Sequence, residues 1–460
     1  MLFERIESEG LAHYSYLVGD QREAVVIDPR RDCDIYIDLA TRAGYRIVAI
    51  LETHRNEDYA IGSVELAARL GRDAGVEIWH ADAGLDYQYG APAKDGQTWQ
   101  IGRLRLTAML TPGHTPGHTG YLLTDPDKNP WVVFSGDALF AGDVGRVDLV
   151  DVDRTMEMAE LLYETLFDRL LPLGDDIIVC PGHGSGSVCG SEISERVWTT
   201  IGLERRHNPK LQFTSKEAFL AHVPRIMERP PYFRRIERLN IEGAPVLNSL
   251  PVPPPIKPGT FAKRALLGDT VVVDTRMELA ATAAHVPGAL AIRQSVLASF
   301  AGWFLPYDTP LLLVAPEAGV EQAVRTLVRL GYDDIVGTLA GGMSAWHIAG
   351  LESRQITTLT THELCARLDD GDSDPWILDV RSAEEIAGEG AIPDAHHILV
   401  TQLPDHVDAV PRDREVLIFC GSGLRSTLAA SYLQRKGWDD VTVVLGGTKG
   451  WDSTSCPLDL

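Results

Sequence analysis

Over roughly the first 240 residues, short apolar bursts alternate with polar breaks. HYSYLVG and EAVVID have the period of strands, and IVAILETH reads as a buried strand ending on polar residues. GSVELAARLG spaces its apolar positions along one helical face and stops at a glycine, and TMEMAELLYETLFDRLL predicts a longer amphipathic helix. RLRLTAML, WVVFSGD and DIIVCPGHG predict further strands, each running into a cluster of Gly, Pro, His or Asp, where α/β folds place their chemistry. PVPPPIKP, residues 251–258, can hold neither a helix nor a central strand and reads as a linker. Beyond it the pattern repeats. VVVDTR, with Asp274 and Arg276, recurs 105 positions later as ILDVR, with Asp379 and Arg381. LAGGMSAW recurs as VLGGTKGW at the same offset, and LVRLGYDDI matches LQRKGWDDV at an offset of 106. This half is therefore two copies of one α/β domain of about 100 residues each.

A length of 460 residues fits about three domains, and 45% apolar with 23% charged residues is enough for several buried cores. Disorder, collagen-like structure and a disulfide miniprotein are excluded. With 42 Lys and Arg against 65 Asp and Glu, the net charge of −23 argues against nucleic acid or an anionic membrane as partner. No apolar run approaches the roughly 20 residues that span a bilayer. The start, MLFERIESEG, has no basic segment followed by an apolar one, so a secretory signal is not expected. Cys33, Cys180, Cys189, Cys365, Cys420 and Cys456 are too scattered for a disulfide framework or zinc finger, and a reducing cytoplasm is the expected location.

Candidate chemistry falls at two places. His54 closes IVAILETH, His114 lies in TPGHTPGH, Asp137 ends WVVFSGD and His183 lies in PGHGSGS. Imidazoles and a carboxylate on strand-end loops beside small residues are what a catalytic metal site needs. The second place is Cys420-Gly421-Ser422-Gly423-Leu424-Arg425-Ser426, between the strand EVLIF and the helix STLAASYLQRKG. There a cysteine would face the N-terminus of the next helix. Backbone N–H groups, the helix dipole and Arg425 would favour thiolate, persulfide or an oxyanion in that cradle.

The first set of segments resembles the metallo-β-lactamase fold superfamily over the whole first half. Its first motif, H-x-H-x-D-H, reads His54-Arg55-Asn56-Glu57-Asp58-Tyr59 here, without the second and last histidines. A second metal would keep only Asp58, His183 and a bridging Asp137, so a two-metal hydrolytic centre such as that of glyoxalase II is not expected. His54, His114 and Asp137 remain, two imidazoles and a carboxylate with open positions, the facial triad of non-haem Fe(II). The persulfide dioxygenases of the superfamily are similar at these three positions. The resemblance implies one Fe(II) per chain, with zinc able to substitute. GDALFAGDVGRVDL resembles the same family, which implies that Arg146 holds the anionic end of a thiol carrier or orients the iron site. Asn56, Asp58, Tyr59 and His183 are read as neighbours of the metal or of the substrate. His118 and His80 are read as ordinary histidines and Cys180 as a buried structural thiol, while Cys189 stays unassigned.

The pattern C-x-x-G-x-R-S, with LDVR upstream and GG-x-x-x-W downstream, resembles the rhodanese family over residues 356–460. A phosphatase loop would have five residues between Cys and Arg, and here there are four. In the first copy, residues 259–355, the cysteine position falls on Val314 or Ala315 and no arginine follows, so the fold is expected without sulfur transfer. The expected architecture is an αββα metallo-β-lactamase sandwich (1–250), a linker (251–258), an inactive rhodanese domain (259–355) and an active one (356–460). This order resembles bacterial persulfide dioxygenase–rhodanese fusions, and TIGLERRHNPKL resembles a stretch of theirs. The resemblance implies oxidation of a low-molecular-weight thiol persulfide by O2 to sulfite and thiol. Cys420 would exchange sulfur among sulfite, thiosulfate and persulfide, in a direction the sequence leaves open. A zinc thioester hydrolase and a metal-free binding protein in which only Cys420 reacts are the alternatives. The thiol carrier and the oligomeric state stay open, a homodimer being allowed.

Overall fold

Leu2–Ser8 and His13–Asp20 form a hairpin whose register runs from Leu2 opposite Gly19 to Ser8 opposite His13. Glu23–Ile27, Arg46–Leu51, Glu77–His80 and Ala91–Pro92 extend it in chain order into a six-stranded sheet. A second six-stranded sheet runs in the order Thr199–Thr200, Ile178–Pro181, Pro130–Gly136, Thr119–Thr124, Leu104–Leu110, Thr98–Ile101. The computed structural model describes residues 1–451 apart from 191, 214 and 371–374, and Cys456 lies outside the described residues.

The alternation along WVVFSGD shows how the layers form. Val132 and Phe134 enter a core between the sheets with Val18, Val25, Leu51, Leu106 and Leu123, while Val133 points the other way. Val133 and Val179 are covered by Met158 and Leu162 of the helix Thr155–Glu164. On the outer face of the first sheet, Leu17, Val26 and Ile50 are covered by Tyr36, Ala40 and Leu66 of two further helices. Each such buried side chain contributes about 1.5–3 kcal/mol. The result is the expected αββα layering.

The helix expected over TMEMAELLYETLFDRLL differs in its second half. It is α-helical over Thr155–Glu164 and then widens into a π turn, Thr165–Leu170. The Thr165 hydroxyl donates to the carbonyl of Pro112 at 2.7 Å. A β-carbon on Gly113, whose φ is +141°, would lie 2.5 Å from Leu162. The helix therefore presses directly on the turn that carries His114.

The chain divides into two compact units, residues 1–250 with 328–331, and the remainder. The second unit contains two parallel five-stranded sheets of one topology. One runs Pro255–Ile256, Ile335–Leu339, Leu311–Val314, Val271–Asp274, Leu290–Ala291; the other runs Thr357–Thr360, Val441–Leu445, Val416–Phe419, Trp376–Asp379, His396–His397. The linker expected over 251–258 is shortened, because Pro255–Ile256 pairs as an edge strand and Pro258 opens a helix. Both are positions where a missing N–H costs nothing. The repeated acid–arginine pairs do the same work in both copies. Arg276 grips Asp274 and the Ala284 carbonyl, and Arg381 grips Asp379 and the Gly390 carbonyl. Arg381 is fully buried, so Arg381→Met strands Asp379 and is expected to destabilise this domain by about 3–5 kcal/mol. A shift in the urea midpoint of its unfolding transition checks this.

Candidate metal centre and cysteine loop

Four strand ends of the sandwich meet. His54 follows Arg46–Leu51, His114 follows Leu104–Leu110, Asp137 follows Pro130–Gly136 and His183 follows Ile178–Pro181. Asp137 Oδ2 lies 3.7 Å from His54 Nε2 and 3.5 Å from His114 Nε2, and all three side chains are buried. Both Nε2 atoms lack a hydrogen-bond partner. Buried nitrogens without a partner are costly unless something else occupies their lone pairs.

The outer nitrogens explain why those lone pairs face inward. His54 Nδ1 lies 2.9 Å from Thr53 Oγ1, whose hydroxyl donates to Asp28 Oδ2 at 2.7 Å. His114 Nδ1 donates to the Arg146 carbonyl at 2.9 Å. Each contact fixes the tautomer with Nε2 unprotonated. Burial pushes both imidazoles below their ordinary range, His54 strongly, and leaves them in the neutral form that ligates. Burial pulls Asp137 upward, but His183, His54 and His114 overcome it and hold the carboxyl below its usual range. The donor set fits one divalent cation with positions left open. Thr53→Val removes the hydroxyl that orients His54 and is expected to weaken metal binding roughly 10–100-fold, read by competition with a chelator.

The surrounding residues are placed as follows. His118 is not a ligand, since Nδ1 is bonded to Thr111 Oγ1 at 2.8 Å and Nε2 accepts the Asp137 N–H at 3.0 Å. Asn56 is buried and donates to the His54 carbonyl at 3.4 Å. Tyr59 is buried with its ring centroid 3.9 Å from that of His13. The Arg146 guanidinium, expected to hold a carrier's anionic end or to orient the iron site, grips Asp148 at 2.7 and 2.8 Å and the carbonyls of Val188 and Met227. It is a clamp between loops, and only its main-chain carbonyl touches the triad. Cys180 is buried, and burial pushes its thiol up to about 12, in keeping with a structural role.

Three residues near the site were given no role from the sequence. Glu57 is buried, with Oε1 on Arg55 and Oε2 3.9 Å from His114 Nε2; burial raises its carboxyl to about 8. Asp28 sits at the end of a strand, and no local pattern links it to Thr53. Cys189 is buried and lies with Asp58 and His183 in one cluster.

In the second unit, Cys420 follows Val416–Phe419 and lies under the N-terminus of the helix Leu424–Arg435. Its sulfur accepts the Gly423 N–H at 3.1 Å. Arg425 is fixed by Glu385 through two contacts of 2.6 Å, and Glu385 belongs to the capping box begun by Ser382. The repeated Gly-Gly backs this loop, for a β-carbon on Gly447 would lie 1.9 Å from the Cys420 carbonyl. In the first copy Ala315 stands at the equivalent point after Leu311–Val314, and Gly342 has nothing within 4 Å. That copy packs against the helix Leu424–Arg435 of the second. Ser431 Oγ accepts the Ala291 N–H at 2.9 Å, and Arg435 donates to the Gly288 carbonyl at 2.6 Å.

Comparison with known proteins identifies both kinds of domain. The metallo-β-lactamase superfamily model matches residues 9–183, and the rhodanese-like domain model matches 259–349 and 360–454. The hydroxyacylglutathione hydrolase GloC of Haemophilus influenzae is 30% identical over 222 residues, 44% of this chain and 93% of its own. The mitochondrial persulfide dioxygenase ETHE1 of Bos taurus is 30% identical over 211 residues, 44% of this chain and 73% of its own. A solved metallo-β-lactamase from Staphylococcus aureus subsp. aureus COL superposes with a TM-score of 0.65 at 28% identity, covering 73% of this chain and 98% of that one.

Proposed function

Because the chain belongs to the metallo-β-lactamase superfamily and carries two rhodanese-like domains behind that fold, we propose that it oxidises a low-molecular-weight thiol persulfide and exchanges the sulfur through Cys420. In the first reaction persulfide, O2 and water give thiol, sulfite and two protons. His54, His114 and Asp137 would hold one ferrous ion, which when bound supplies the one-electron and oxygen chemistry that no side chain offers. The chain's own part is to hold both imidazoles neutral with Nε2 inward, through Thr53 and the Arg146 carbonyl, and to keep Asp137 ionised. Burial of all three side chains keeps bulk water from the site. A cavity of about 560 Å³ lined by Arg55, Thr115, Leu149, Arg154 and Arg229 adjoins the sequence neighbours of His54 and His114. Its apolar wall suits the hydrophobic part of a thiol carrier, while Asp82 and Glu237 also line it and its arginines are paired, Arg55 and Arg229 with Glu237 and Arg154 with Glu157.

In the second reaction the outer sulfur of a Cys420 persulfide passes to sulfite, giving thiosulfate and the Cys420 thiolate, or the exchange runs in reverse. The Gly423 N–H at the sulfur and Arg425 fixed on Glu385 would hold the anionic sulfur species in the loop.

The observation that carries the reading is the pair of buried, partnerless imidazole nitrogens facing one carboxylate; Asn56 and Tyr59 stand at the two motif positions where the resemblance implies histidines in a dinuclear hydrolase. A zinc thioester hydrolase is the competing reading, because GloC is among the relatives. The test supplies the iron-loaded protein with glutathione persulfide and, separately, with S-lactoylglutathione. Oxygen consumption with sulfite formation and no thioester cleavage is expected. Thioester cleavage without oxygen uptake would overturn the proposal.

A further inference from the structure

The two imidazoles of the triad come from different sheets. His54 follows a strand of the first sheet, Arg46–Leu51, and His114 follows a strand of the second, Leu104–Leu110. Their separation is therefore set by contacts between the sheet ends and not by continuity of the chain.

Asp82 makes such a contact. It lies two residues beyond the strand Glu77–His80, which runs parallel beside Arg46–Leu51 and so ends next to the His54 loop. Its Oδ2 accepts the Arg55 N–H at 2.9 Å and the Thr115 hydroxyl at 3.0 Å, and its Oδ1 accepts the Gly117 N–H at 2.7 Å. Arg55 and Thr115 are the residues that immediately follow the two imidazoles. The Asp82 N–H donates in turn to the Gly117 carbonyl at 3.1 Å. The side chain is buried, and hydrogen bonds to an ionised acceptor are the stronger kind.

The backbone on both sides is shaped for this approach. Asp82 has φ +50°, in the left-handed region, which Asp tolerates better than most residues with a β-carbon. A β-carbon on Gly117 would lie 2.3 Å from the Asp82 α-carbon, so only glycine lets the turn come this close. The Thr119 N–H on the Thr53 carbonyl, at 2.7 Å, also joins the sheets. Thr119, however, lies five residues beyond His114, whereas Asp82 bonds directly beside both ligands.

We propose that Asp82 is a positioning residue of the metal site, setting the separation of His54 and His114 without touching the ion. The proposal rests on the reading of His54, His114 and Asp137 as ligands of one ion. Both carboxylate oxygens accept at once, one from the turn after His114 and the other from both loops. An amide has a single accepting oxygen, and its NH2 would face the N–H of Arg55 or of Gly117, donor against donor. Asp82→Asn therefore keeps the shape and the left-handed backbone while loosening one of the two loops. A ligand set is sensitive to displacements of about 0.5 Å, so neither loop has to unfold for the site to change. Asp82 also lines the cavity with Arg55, Thr115 and Gly117, which makes a substrate contact the rival role.

The test is a Co(II) titration of the full chain, read by competition with a chelator and by the visible d–d spectrum, with thermal unfolding of metal-free protein alongside. Asp82→Asn is expected to bind Co(II) about 10–100-fold more weakly and with an altered spectrum. Thr115→Val, which removes only the hydroxyl's bond, should show a smaller loss in the same direction. A merely structural role would lower the thermal midpoint and leave the affinity and spectrum of the folded protein unchanged. A substrate contact would raise KM for glutathione persulfide and leave both unchanged. Either result would overturn the proposal. If Asp82→Asn does not fold, wild-type affinity and spectrum in Thr115→Val overturn it instead. Failure of the iron reading looks different, with no oxygen uptake by iron-loaded wild-type protein while the Co(II) series behaves as expected.

Discussion

His114→Ala is expected to remove bound iron and to abolish oxygen uptake with glutathione persulfide. The loss should exceed the roughly 100-fold that follows removal of a hydrogen-bond partner behind a metal ligand. His114 supplies one of the two partnerless imidazole nitrogens beside Asp137, the third nearby ring, His183, being already bonded to that carboxylate through Nδ1. Glu57 Oε2 lies 3.9 Å from that nitrogen but is held on Arg55 through its other oxygen. The variant should stay folded, because the turn beneath it is fixed by Gly113 against Leu162 and by Thr165 on Pro112 rather than by the ring. Iron content, oxygen-electrode rates and circular dichroism on one preparation check all three statements. Full oxygen uptake by His114→Ala would remove that residue from the site.

Cys420→Ser should have the opposite signature. Thiosulfate sulfurtransfer falls on the order of 10⁴-fold or more, as for removal of a nucleophile, while oxygen uptake is unchanged. The substitution is nearly isosteric at a buried position, and the loop is held by contacts that do not involve sulfur. Gly446 N donates to the Ser422 carbonyl and Lys449 N to the Gly421 carbonyl. Cyanolysis of thiosulfate by wild-type and variant protein measures the effect. Residual transfer at the wild-type rate would mean that another thiol carries the sulfur.

The sequence made the triad legible because each of its members closes its own strand, and a strand end can be read locally from WVVFSGD or IVAILETH. The cysteine loop was legible for the same reason, being a continuous strand–turn–helix segment. What stayed hidden depends on pairings between distant strands. Asp28 supports His54 only because Glu23–Ile27 and Arg46–Leu51 run parallel side by side, which brings Thr53 over Asp28. Ser382 and Glu385 could be read as a capping box, yet nothing local says that Glu385 also pins Arg425, 40 residues on. The sequence offered Arg146 two roles, a carrier's anionic end and the orientation of the iron site; the side chain turns onto Asp148 two residues away while the carbonyl meets His114. Cys189 stayed unassigned because the separation of six from His183 is meaningful only once the intervening loop folds back to bring the two together.

The most direct test of the account is anomalous diffraction at the iron edge from crystals of protein loaded with Fe(II). A single iron peak is predicted within bonding distance of His54 Nε2, His114 Nε2 and Asp137 Oδ2. No iron peak at that point, or iron held by other side chains, would contradict the account.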